Sequence, residues 1–351
     1  MIFVAGLACF ILSLIITPFV KKVALRIGAT DKPSQRKVHV KLMPRLGGLA
    51  IFSSFIIGFV LFSEKNFNWI PIIIGLFIIT LLGVLDDKFE LPAKIKFGVQ
   101  LLVAIITVIG GIQIEFITIP FLDRIEFGYL SIPITILWIV GVTNAINLID
   151  GLDGLAAGVS SIALLTISGM AISLGNTFVA LLGIMLLSST LGFLVYNFYP
   201  AKIFMGDTGS LLLGYMISVL SLMGLYKNVT FFSLLIPVII LGVPLLDTFF
   251  AIIRRIIQRK PLSAPDKLHL HHCLLGLGYS HRQTVLLIYA ISGLFSVAAI
   301  IFSRTTMWGS TITIVVLLIL TELIVESTGL IDKNYRPLLK LLQEEKLKIN
   351  K

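Results

Sequence analysis

The stretch SIPITILWIVGVTNAINLIDGLDG, residues 131–154, carries the strongest signal for both fold class and chemistry. Its first part is apolar over most of the length that crosses a bilayer, about 20 residues for a helix. Its last part places Asn144, Asn147 and Asp150 on one helix face, because residues three apart are neighbours on a helix. Since polar side chains ending an apolar helix are costly in lipid, this face is expected to line a wet interior.

The same run continues with Asp153, and its glycines permit a tight reversal of the chain. A helix cap followed by a turn is the alternative explanation, because Asn, Asp and Gly are favoured there. A cap needs one such residue, whereas this run has four. We therefore favour a functional site.

The composition is that of a membrane protein. Of 351 residues, 57% are hydrophobic and 13% are charged, and the mean hydropathy is +1.03, whereas soluble domains carry about 25% charged residues. Backbone groups in hydrocarbon must pair within their own segment, which predicts α-helices, and the alternation of barrel strands is missing. We predict an all-α polytopic membrane protein with a single catalytic domain over residues 1–328 and a basic cytoplasmic tail over residues 329–351.

About eleven segments are apolar enough to be transmembrane helices. They are 2–23, 46–63, 69–85, 97–112, 131–148, 154–174, 178–196, 210–226, 231–252, 283–302 and 309–327. The first is interpreted as a retained span, because no charged region precedes it and no cleavage site stands out. The longest outer loop, 113–130, alternates Ile and Phe around Pro120, which allows a small hairpin or a surface helix.

Lysine and arginine set the orientation, because cytoplasmic loops carry the excess of both. With the N-terminus outside, all but four of the 28 basic residues fall on the inner side. The four outer residues are Lys65, Arg124, Lys227 and Arg304. An odd number of spans then places the C-terminus in the cytoplasm. The net charge of +10 is therefore attributed to loops that face anionic lipid, with no nucleic acid as partner.

Further polar clusters fall at helix ends on that same side. Asp86 and Asp87 close the third span, with Lys94 and Lys96 soon after. Adjacent carboxylates resist joint ionisation in a dry site unless a cation is near. A divalent metal or a phosphate-bearing substrate would satisfy this group, and an ordinary charged loop is the alternative.

The segment FMGDTGS, residues 204–210, opens the eighth span. A helix start exposes N–H groups and the positive end of the helix dipole, which suits phosphate. Asp207 suits the Mg²⁺ that accompanies phosphate, because Mg²⁺ takes few carboxylates and shares phosphate oxygens. The alternative is a simple helix cap. Asn197, earlier in the chain, is either a boundary residue or a substrate contact.

Asp247 lies within the ninth span, about two turns before Arg254. A carboxylate inside a membrane is a functional candidate, and a structural pair with an arginine is the alternative. Pro244 is expected to kink this helix.

The densest histidine group consists of His269, His271 and His272. Its spacing superficially suggests zinc, but no cysteine completes a tetrahedral set, and pyrophosphate binding is favoured. His39 and His281 are interpreted as isolated surface residues.

Together, these acids, helix N-termini and basic residues predict a Mg²⁺-dependent transferase that joins a soluble phosphate donor to a lipid phosphate. A transporter of an anionic or lipid-linked solute is the competing class, but transporters more often place ionisable groups near the membrane centre. A phosphatidyltransferase of the alcohol-transfer type is a nearer rival. Its Asp-Gly-x-x-Ala-Arg signature is missing, since Leu-Asp-Gly-Leu follows Asp150-Gly151.

Five ordered stretches resemble the polyprenyl-phosphate N-acetylhexosamine-1-phosphate transferase family. They are LDDKFELPAKIKFGVQ, NAINLIDGLDGLAAG, YNFYPAKIFMGDTGS, PLLDT and APDKLHLHH, and the loop GATDKPSQRKVHVKLMPRLGGLAIF is similar to the teichoic acid branch. The resemblance implies transfer of a sugar-1-phosphate from a UDP-sugar to undecaprenyl phosphate, with release of UMP. It further implies Mg²⁺ as cofactor (Mn²⁺ as a substitute), a bacterial cell membrane, a homodimer, and a product that begins a cell-envelope polymer such as wall teichoic acid.

The resemblance also assigns the site residues by position. Asp86, Asp87 and Asp207 match catalytic residues, with Asp207 as the principal metal ligand and Asp87 as a second. The matched substrate-binding residues are Lys96, Asn144, Asn147, Asp150, Asp153, Asn197, His269, His271 and His272. Arg254 is added as a substrate-binding residue, because sugar selection is expected around residues 254–260 and at the histidine motif. The pattern Pro-Asp-x-x-His-x-His-His is that of the N-acetylglucosamine branch, which implies UDP-N-acetylglucosamine, and other UDP-N-acetylhexosamines remain open. Direct attack by the lipid phosphate is preferred over a two-step reaction through an Asp, because a phosphate monoester is already nucleophilic near neutral pH.

Overall fold

The computed structural model of this chain is a helical bundle. It describes residues 1–31, 42–63, 69–118, 124–226, 234–261, 266, 268–331 and 335–340. The α-helices of these residues are α1 (Ile2–Ile27), α2 (Gly47–Phe62), α3 (Ile70–Phe89), α4 (Ala93–Ile109), α5 (Ser131–Ile149), α6 (Leu155–Ser173), α7 (Thr177–Asn197), α8 (Gly206–Ser221), α9 (Leu235–Ile240), α10 (Gly242–Ile257), α11 (Leu270–Gly276), α12 (His281–Arg304) and α13 (Met307–Thr328). The strands are β1 (Thr30–Asp31), β2 (Met43–Pro44), β3 (Phe116–Thr118) and β4 (Arg124–Glu126).

The helices confirm a polytopic membrane protein. Within the described residues, eight helices are long and apolar enough to cross a bilayer. Helices α2 and α4 coincide with two further predicted spans but have 16 and 17 residues. The prediction of about eleven spans therefore stays a prediction, although every predicted segment contains helix.

The ninth predicted span, 231–252, differs from the expectation of one helix. Its described part forms α9 and α10, which join at Leu241, and α10 continues to Ile257. Pro244 lies in the first turn of α10. Proline is tolerated there because the N–H groups of a first turn have no acceptor within the helix. Pro244 is expected from the sequence to kink one continuous helix, and the structure instead has two helices that join at Leu241, shortly before Pro244.

Helix α8 occupies the middle of the bundle. Its spanning window, Gly206–Gly224, is 94% buried, whereas that of α13 is 17% buried and lies at the periphery. Helices α2, α3, α5 and α6 pack around α8. The first turn of α8 carries Asp207, so this residue lies where several helix ends meet.

The loop before α5 contains the hairpin that the sequence allowed. Strands β3 and β4 pair antiparallel, with Ile117 opposite Ile125, and a 3₁₀ turn at Gly128–Leu130 leads into α5. Pro120 lies outside the described residues.

The described part of the C-terminal tail is anchored to the bundle. Glu326, near the end of α13, is fully buried. Its Oε1 accepts a hydrogen bond from Leu338 N at 2.7 Å, and its Oε2 accepts one from Leu339 N at 2.8 Å. These N–H groups start the helical turn 337–340, and such groups need an acceptor because no earlier turn supplies one. The boundary at residue 329 remains a prediction.

We expect Glu326→Gln to loosen this attachment. The amide keeps one acceptor oxygen and adds N–H groups that need partners, and an unsatisfied buried group costs about 1–3 kcal/mol. Trypsin cleavage after Lys340, followed by mass spectrometry in detergent, should become several-fold faster, whereas the Arg336–Pro337 bond resists trypsin in every variant. Ser327→Ala changes an exposed neighbour on the same helix and should leave the rate unchanged. Equal rates in both variants would contradict the anchoring function.

Candidate active site

The carboxylate of Asp87 holds the start of helix α8. Its Oδ1 accepts a hydrogen bond from Asp207 N at 2.9 Å. Its Oδ2 accepts bonds from Thr208 N at 3.0 Å and Thr208 Oγ1 at 2.6 Å. The side chain of Asp87 has no solvent exposure. Asp87 therefore acts as the cap that α8 itself lacks, and it ties the last turn of α3 to the first turn of α8.

This arrangement needs glycine at two positions. Gly206 has φ +71°, a left-handed conformation, and a β-carbon there would overlap the carboxylate of Asp87. Gly83, one turn before Asp87 on α3, lies against the backbone of Thr208 so closely that a β-carbon would overlap it. Larger residues would push α3 away from α8 and separate the cap from its N–H groups.

Lys96 joins two of the predicted catalytic acids. Its Nζ donates to Asp86 Oδ2 at 2.7 Å and to Asp207 Oδ2 at 3.2 Å. The other oxygen of Asp86 accepts a bond from Leu91 N at 2.7 Å. The other oxygen of Asp207 accepts one from Asn147 Nδ2 at 3.0 Å. Helices α3, α4, α5 and α8 thus meet in one polar cluster, and the predicted convergence of these motifs is confirmed.

Asn144 lies one turn from Asn147 and has different partners. Its Nδ2 donates to Gln100 Oε1 at 2.6 Å and to Val140 O at 2.8 Å. Gln100 on α4 is 4% exposed. The polar face predicted from the spacing exists, but this end of it joins α5 to α4. The sequence reasoning missed Gln100, whose only signal was an amide inside an apolar segment.

Asp150 and the histidine segment approach the cluster from another side. Burial and, next, the carboxylate of Asp207 raise the pKa of Asp150 to about 8. The following residue, Gly151, packs directly against His271, so that a β-carbon there would overlap Nε2 of the ring. Burial and the neighbouring His272 lower the pKa of His271 to about 3. His271 is therefore a neutral ring near neutral pH, next to the Asp150 turn.

The partner of Asp247 is the histidine segment, and the predicted alternative of an Asp–Arg pair is wrong. Asp247 Oδ2 lies 2.8 Å from His269 Nδ1, and its Oδ1 accepts a bond from Leu270 N at 2.8 Å. Asp247 therefore fixes the start of α11.

Arg254 is bound by groups of the protein itself, and its predicted contact with substrate stays a prediction. It is 4% exposed. It donates twice to Asp266 Oδ2, at 2.6 and 3.1 Å, and to Leu330 O at 2.6 Å. The guanidinium, in turn, holds the pKa of Asp266 below its ordinary value despite partial burial, which acts in the opposite direction. Arg254 joins Asp266 to Leu330, two residues after the end of α13.

Two further predicted substrate contacts also brace the protein. Asn197 is 3% exposed. Its Oδ1 accepts a bond from Gly154 N at 3.1 Å, and its Nδ2 donates to Ile203 O at 3.0 Å. Both ends of this amide are used by the backbone, which favours the boundary alternative, and the substrate contact stays a prediction. Asp153 Oδ2 accepts a bond from Ala201 N at 2.9 Å.

His281 is not the isolated surface residue that the sequence suggested. Its Nε2 accepts a bond from Asp153 N at 3.1 Å. Its ring stacks on Tyr199 with 4.5 Å between ring centroids. His39, the other histidine interpreted this way, lies outside the described residues.

The chemistry of the donor set fits one divalent cation at Asp207. Acidic side chains outnumber basic ones here: Asp86, Asp87, Asp150 and Asp207 lie near Lys96 and Arg45, and with Asp150 protonated three carboxylates still face two cations. A hard divalent ion bound to one or two carboxylates would restore the balance. Asp207 keeps a side-chain exposure of 20%, whereas Asp87 is fully enclosed by protein donors, which disfavours it as the predicted second ligand.

The histidines do not form a zinc site. No group of three or more His, Cys, Asp or Glu side chains within the described ranges is placed to share a metal ion. The rings of His269 and His271 lie parallel, with 5.9 Å between centroids.

Comparison with known proteins shows the family of this chain. Residues 69–225, which include most of the cluster, match the family described as glycosyl transferase family 4. The chain is 54% identical, over 97% of its length and 95% of the relative's, to the "probable undecaprenyl-phosphate N-acetylglucosaminyl 1-phosphate transferase" of Bacillus subtilis. It is 37% identical, over 85% and 81%, to the decaprenyl-phosphate N-acetylglucosaminephosphotransferase of Mycolicibacterium smegmatis. A phospho-N-acetylmuramoyl-pentapeptide-transferase of Halalkalibacterium halodurans is 33% identical over 83% and 92%.

The different surroundings of Asp87 and Asp207 predict different effects on stability. Asp87→Asn removes one of two acceptor oxygens from the start of α8 and should lower stability by about 0.5–2 kcal/mol, the effect of losing a helix cap. Asp207→Asn keeps an acceptor for Asn147 and leaves the start of α8 capped, but it weakens the ion pair with Lys96 at 3.2 Å, so its Tm in detergent should fall less than that of Asp87→Asn. Equal decreases in Tm for the two variants would contradict the capping function.

Proposed function

Because the chain belongs to glycosyl transferase family 4, the polyprenyl-phosphate N-acetylhexosamine-1-phosphate transferases, we propose that it transfers N-acetylglucosamine-1-phosphate from UDP-N-acetylglucosamine to undecaprenyl phosphate. The products are undecaprenyl diphosphate N-acetylglucosamine and UMP. The observation that carries this proposal is the junction of Asp86, Lys96, Asp207 and Asn147 at the ends of four apolar helices. It supplies paired carboxylates and a cation where a lipid phosphate and a soluble nucleotide can meet.

The named relatives support the choice of sugar and lipid. The Bacillus subtilis and Mycolicibacterium smegmatis proteins are both named for N-acetylglucosamine and a polyprenyl phosphate. The Halalkalibacterium protein is named for a muramoyl pentapeptide and is less similar, at 33% identity. The product would begin a cell-envelope polymer such as wall teichoic acid.

The proposed topology has about eleven spans, the N-terminus outside and the catalytic cluster at the cytoplasmic face of a bacterial cell membrane. The distribution of lysine and arginine supports this orientation. It is also the face at which nucleotide sugars are available. A homodimer is part of the proposal only through the family resemblance.

We place Mg²⁺, with Mn²⁺ as a substitute, at Asp207. When bound, the ion would neutralise charge on the phosphate oxygens. Lys96 is held between Asp86 and Asp207, and this position lets its ammonium group balance phosphate charge during transfer. Asn147 orients the carboxylate of Asp207, and its Nδ2 also donates to Ser210 Oγ at 2.8 Å.

The surroundings of Asp86 and Asp87 support direct attack by the lipid phosphate. An oxygen of undecaprenyl phosphate attacks the phosphorus that bears the sugar, and the bond from that phosphorus to the UMP oxygen breaks. UMP leaves with the electron pair. A two-step reaction needs a carboxylate as nucleophile, but both oxygens of Asp86 and both of Asp87 accept hydrogen bonds from the protein. No base is needed, because a phosphate monoester is largely ionised near pH 7.

The central experiment measures UMP. Purified protein with Mg²⁺, undecaprenyl phosphate and UDP-N-acetylglucosamine should release UMP and form the lipid product in equal amounts. Without the lipid, direct attack predicts no burst of UMP, and a stoichiometric burst would favour the two-step reaction. Release from a different UDP-N-acetylhexosamine alone would correct the substrate. Absence of release with every UDP-sugar would refute the transferase assignment and favour the transporter alternative.

The metal assignment predicts a second result. Removal of divalent ions with EDTA should abolish turnover, and Mg²⁺ should restore it. Asp207→Ala should lower kcat by at least a thousandfold at saturating Mg²⁺ while membrane insertion persists, since positioning and charge neutralisation supply most of this catalysis. Asp153→Asn, a carboxylate outside the Lys96 cluster, is the matched control and should lose far less activity. Residual activity of Asp207→Ala within tenfold of the wild type would remove Asp207 from the metal site.

A further inference from the structure

The backbone around Arg45 is fixed next to the start of α8. Arg45 N donates to Ala29 O at 3.1 Å. On either side of Arg45, Pro44 O accepts a bond from Phe204 N at 2.8 Å, and Gly47 N donates to Phe204 O at 3.0 Å. The carbonyl oxygen of Arg45 lies against Gly206. The loop that enters α2 is therefore attached to the segment that carries Asp207.

The side chain of Arg45 points at the acidic cluster without closing a hydrogen bond to it. Its Nε lies 3.6 Å from Asp87 Oδ1, and its Nη1 lies 3.8 Å from Asp31 Oδ1. Arg254, by contrast, donates to Asp266 and Leu330 at 2.6 Å and is almost fully buried. The Arg45 side chain keeps an exposure of 24%. Its guanidinium thus retains donors for a ligand.

The charges around Arg45 also differ from those of an ordinary ion pair. Burial acts to lower the pKa of Arg45, but the carboxylates of Asp87, Asp207, Asp31 and Asp150 outweigh it and raise the pKa. The guanidinium is always charged, and Asp87 already receives three closer hydrogen bonds. Pairing with Asp87 alone therefore leaves most of the donor capacity of Arg45 unused.

The position of Arg45 complements that of Lys96. Lys96 reaches Asp207 from α4, whereas Arg45 approaches the same carboxylates from the loop between β2 and α2. A guanidinium presents donors in a fixed fork that matches phosphate, which an ammonium group does not. The two cations would flank a phosphate group placed beside Asp207.

We propose that Arg45 is a substrate-binding residue that donates hydrogen bonds to phosphate oxygens at this site, from the loop between β2 and α2, while Lys96 donates from α4. The phosphate belongs either to the diphosphate of the nucleotide sugar or to the polyprenyl phosphate. This inference rests on the proposed function for the identity of the substrates, and on the geometry of Arg45 for its place among the binding residues.

The test uses Arg45→Ala and Arg45→Lys in the full-length protein, with Arg26→Ala as control. Arg26 is an exposed arginine in the last turn of α1. Loss of a charge-assisted hydrogen bond corresponds to about a tenfold to hundredfold change in affinity. Arg45→Ala should raise KM by this factor for one of the two substrates, Arg45→Lys should recover only part of it, and Arg26→Ala should match the wild type.

The two sources of phosphate give different results. A donor site raises KM for UDP-N-acetylglucosamine and weakens UMP binding to lipid-free protein. An acceptor site raises KM for undecaprenyl phosphate and leaves UMP binding unchanged. If Arg45→Ala and Arg45→Lys lower Tm while both KM values and the UMP affinity stay within twofold, Arg45 is a structural ion-pair residue and the inference is refuted. Failure of the wild-type protein to turn over any UDP-sugar would instead refute the proposed function. The UMP affinities of Arg45→Ala and the wild type would then still test whether Arg45 binds phosphate.

Discussion

The hydrogen bonds from Asp87 to the start of α8 are the constraint on which the rest of the site depends. The first N–H groups of a helix have no partner within it, and the start of α8 is surrounded by other helices that leave little room for water. Asp87 accepts from Asp207 N, Thr208 N and Thr208 Oγ1, so a carboxylate of α3 satisfies α8. This attachment requires glycine at 83 and 206. It also fixes Asp207 next to Asp86, and Lys96 then bridges the two.

The cluster that results is organised for charge and position more than for proton transfer. Asp86 and Asp87 direct their oxygens at protein donors, so neither is free to act as a base or nucleophile. Asp207 is more exposed, and Asp150 holds its proton more firmly than an ordinary carboxyl because burial and, next, the carboxylate of Asp207 raise its pKa. An excess of carboxylates over cations disfavours an anionic substrate alone. It favours an anion that arrives with a divalent cation, as phosphoryl transfer requires.

Residue types and their order in the chain were sufficient to predict the helical fold, because the lengths of the apolar segments match membrane helices. They also predicted that the motifs converge, because the motifs lie at helix ends on the same side of the membrane. The partners of individual side chains were not predictable. Asn197, Arg254 and Asp153 have the polarity of substrate contacts, yet each is used by nearby backbone or by Asp266. Arg45 follows several other basic residues in the sequence, and the attachment of its backbone neighbours to Phe204 could not be predicted from their order.

A second layer of polar contacts surrounds the cluster and connects it to the periphery of the bundle. Asp247 fixes His269, and His271 packs against Gly151, next to Asp150. Arg254 joins the loop before these histidines to Leu330, which follows α13. Glu326 on α13 holds the described tail. Among the eight spanning helices of the described residues, α13 is the least buried, so the Arg254–Leu330 contact depends on a helix that has little packing of its own. The buried bonds of Arg254 and Glu326 supply the attachment that packing does not.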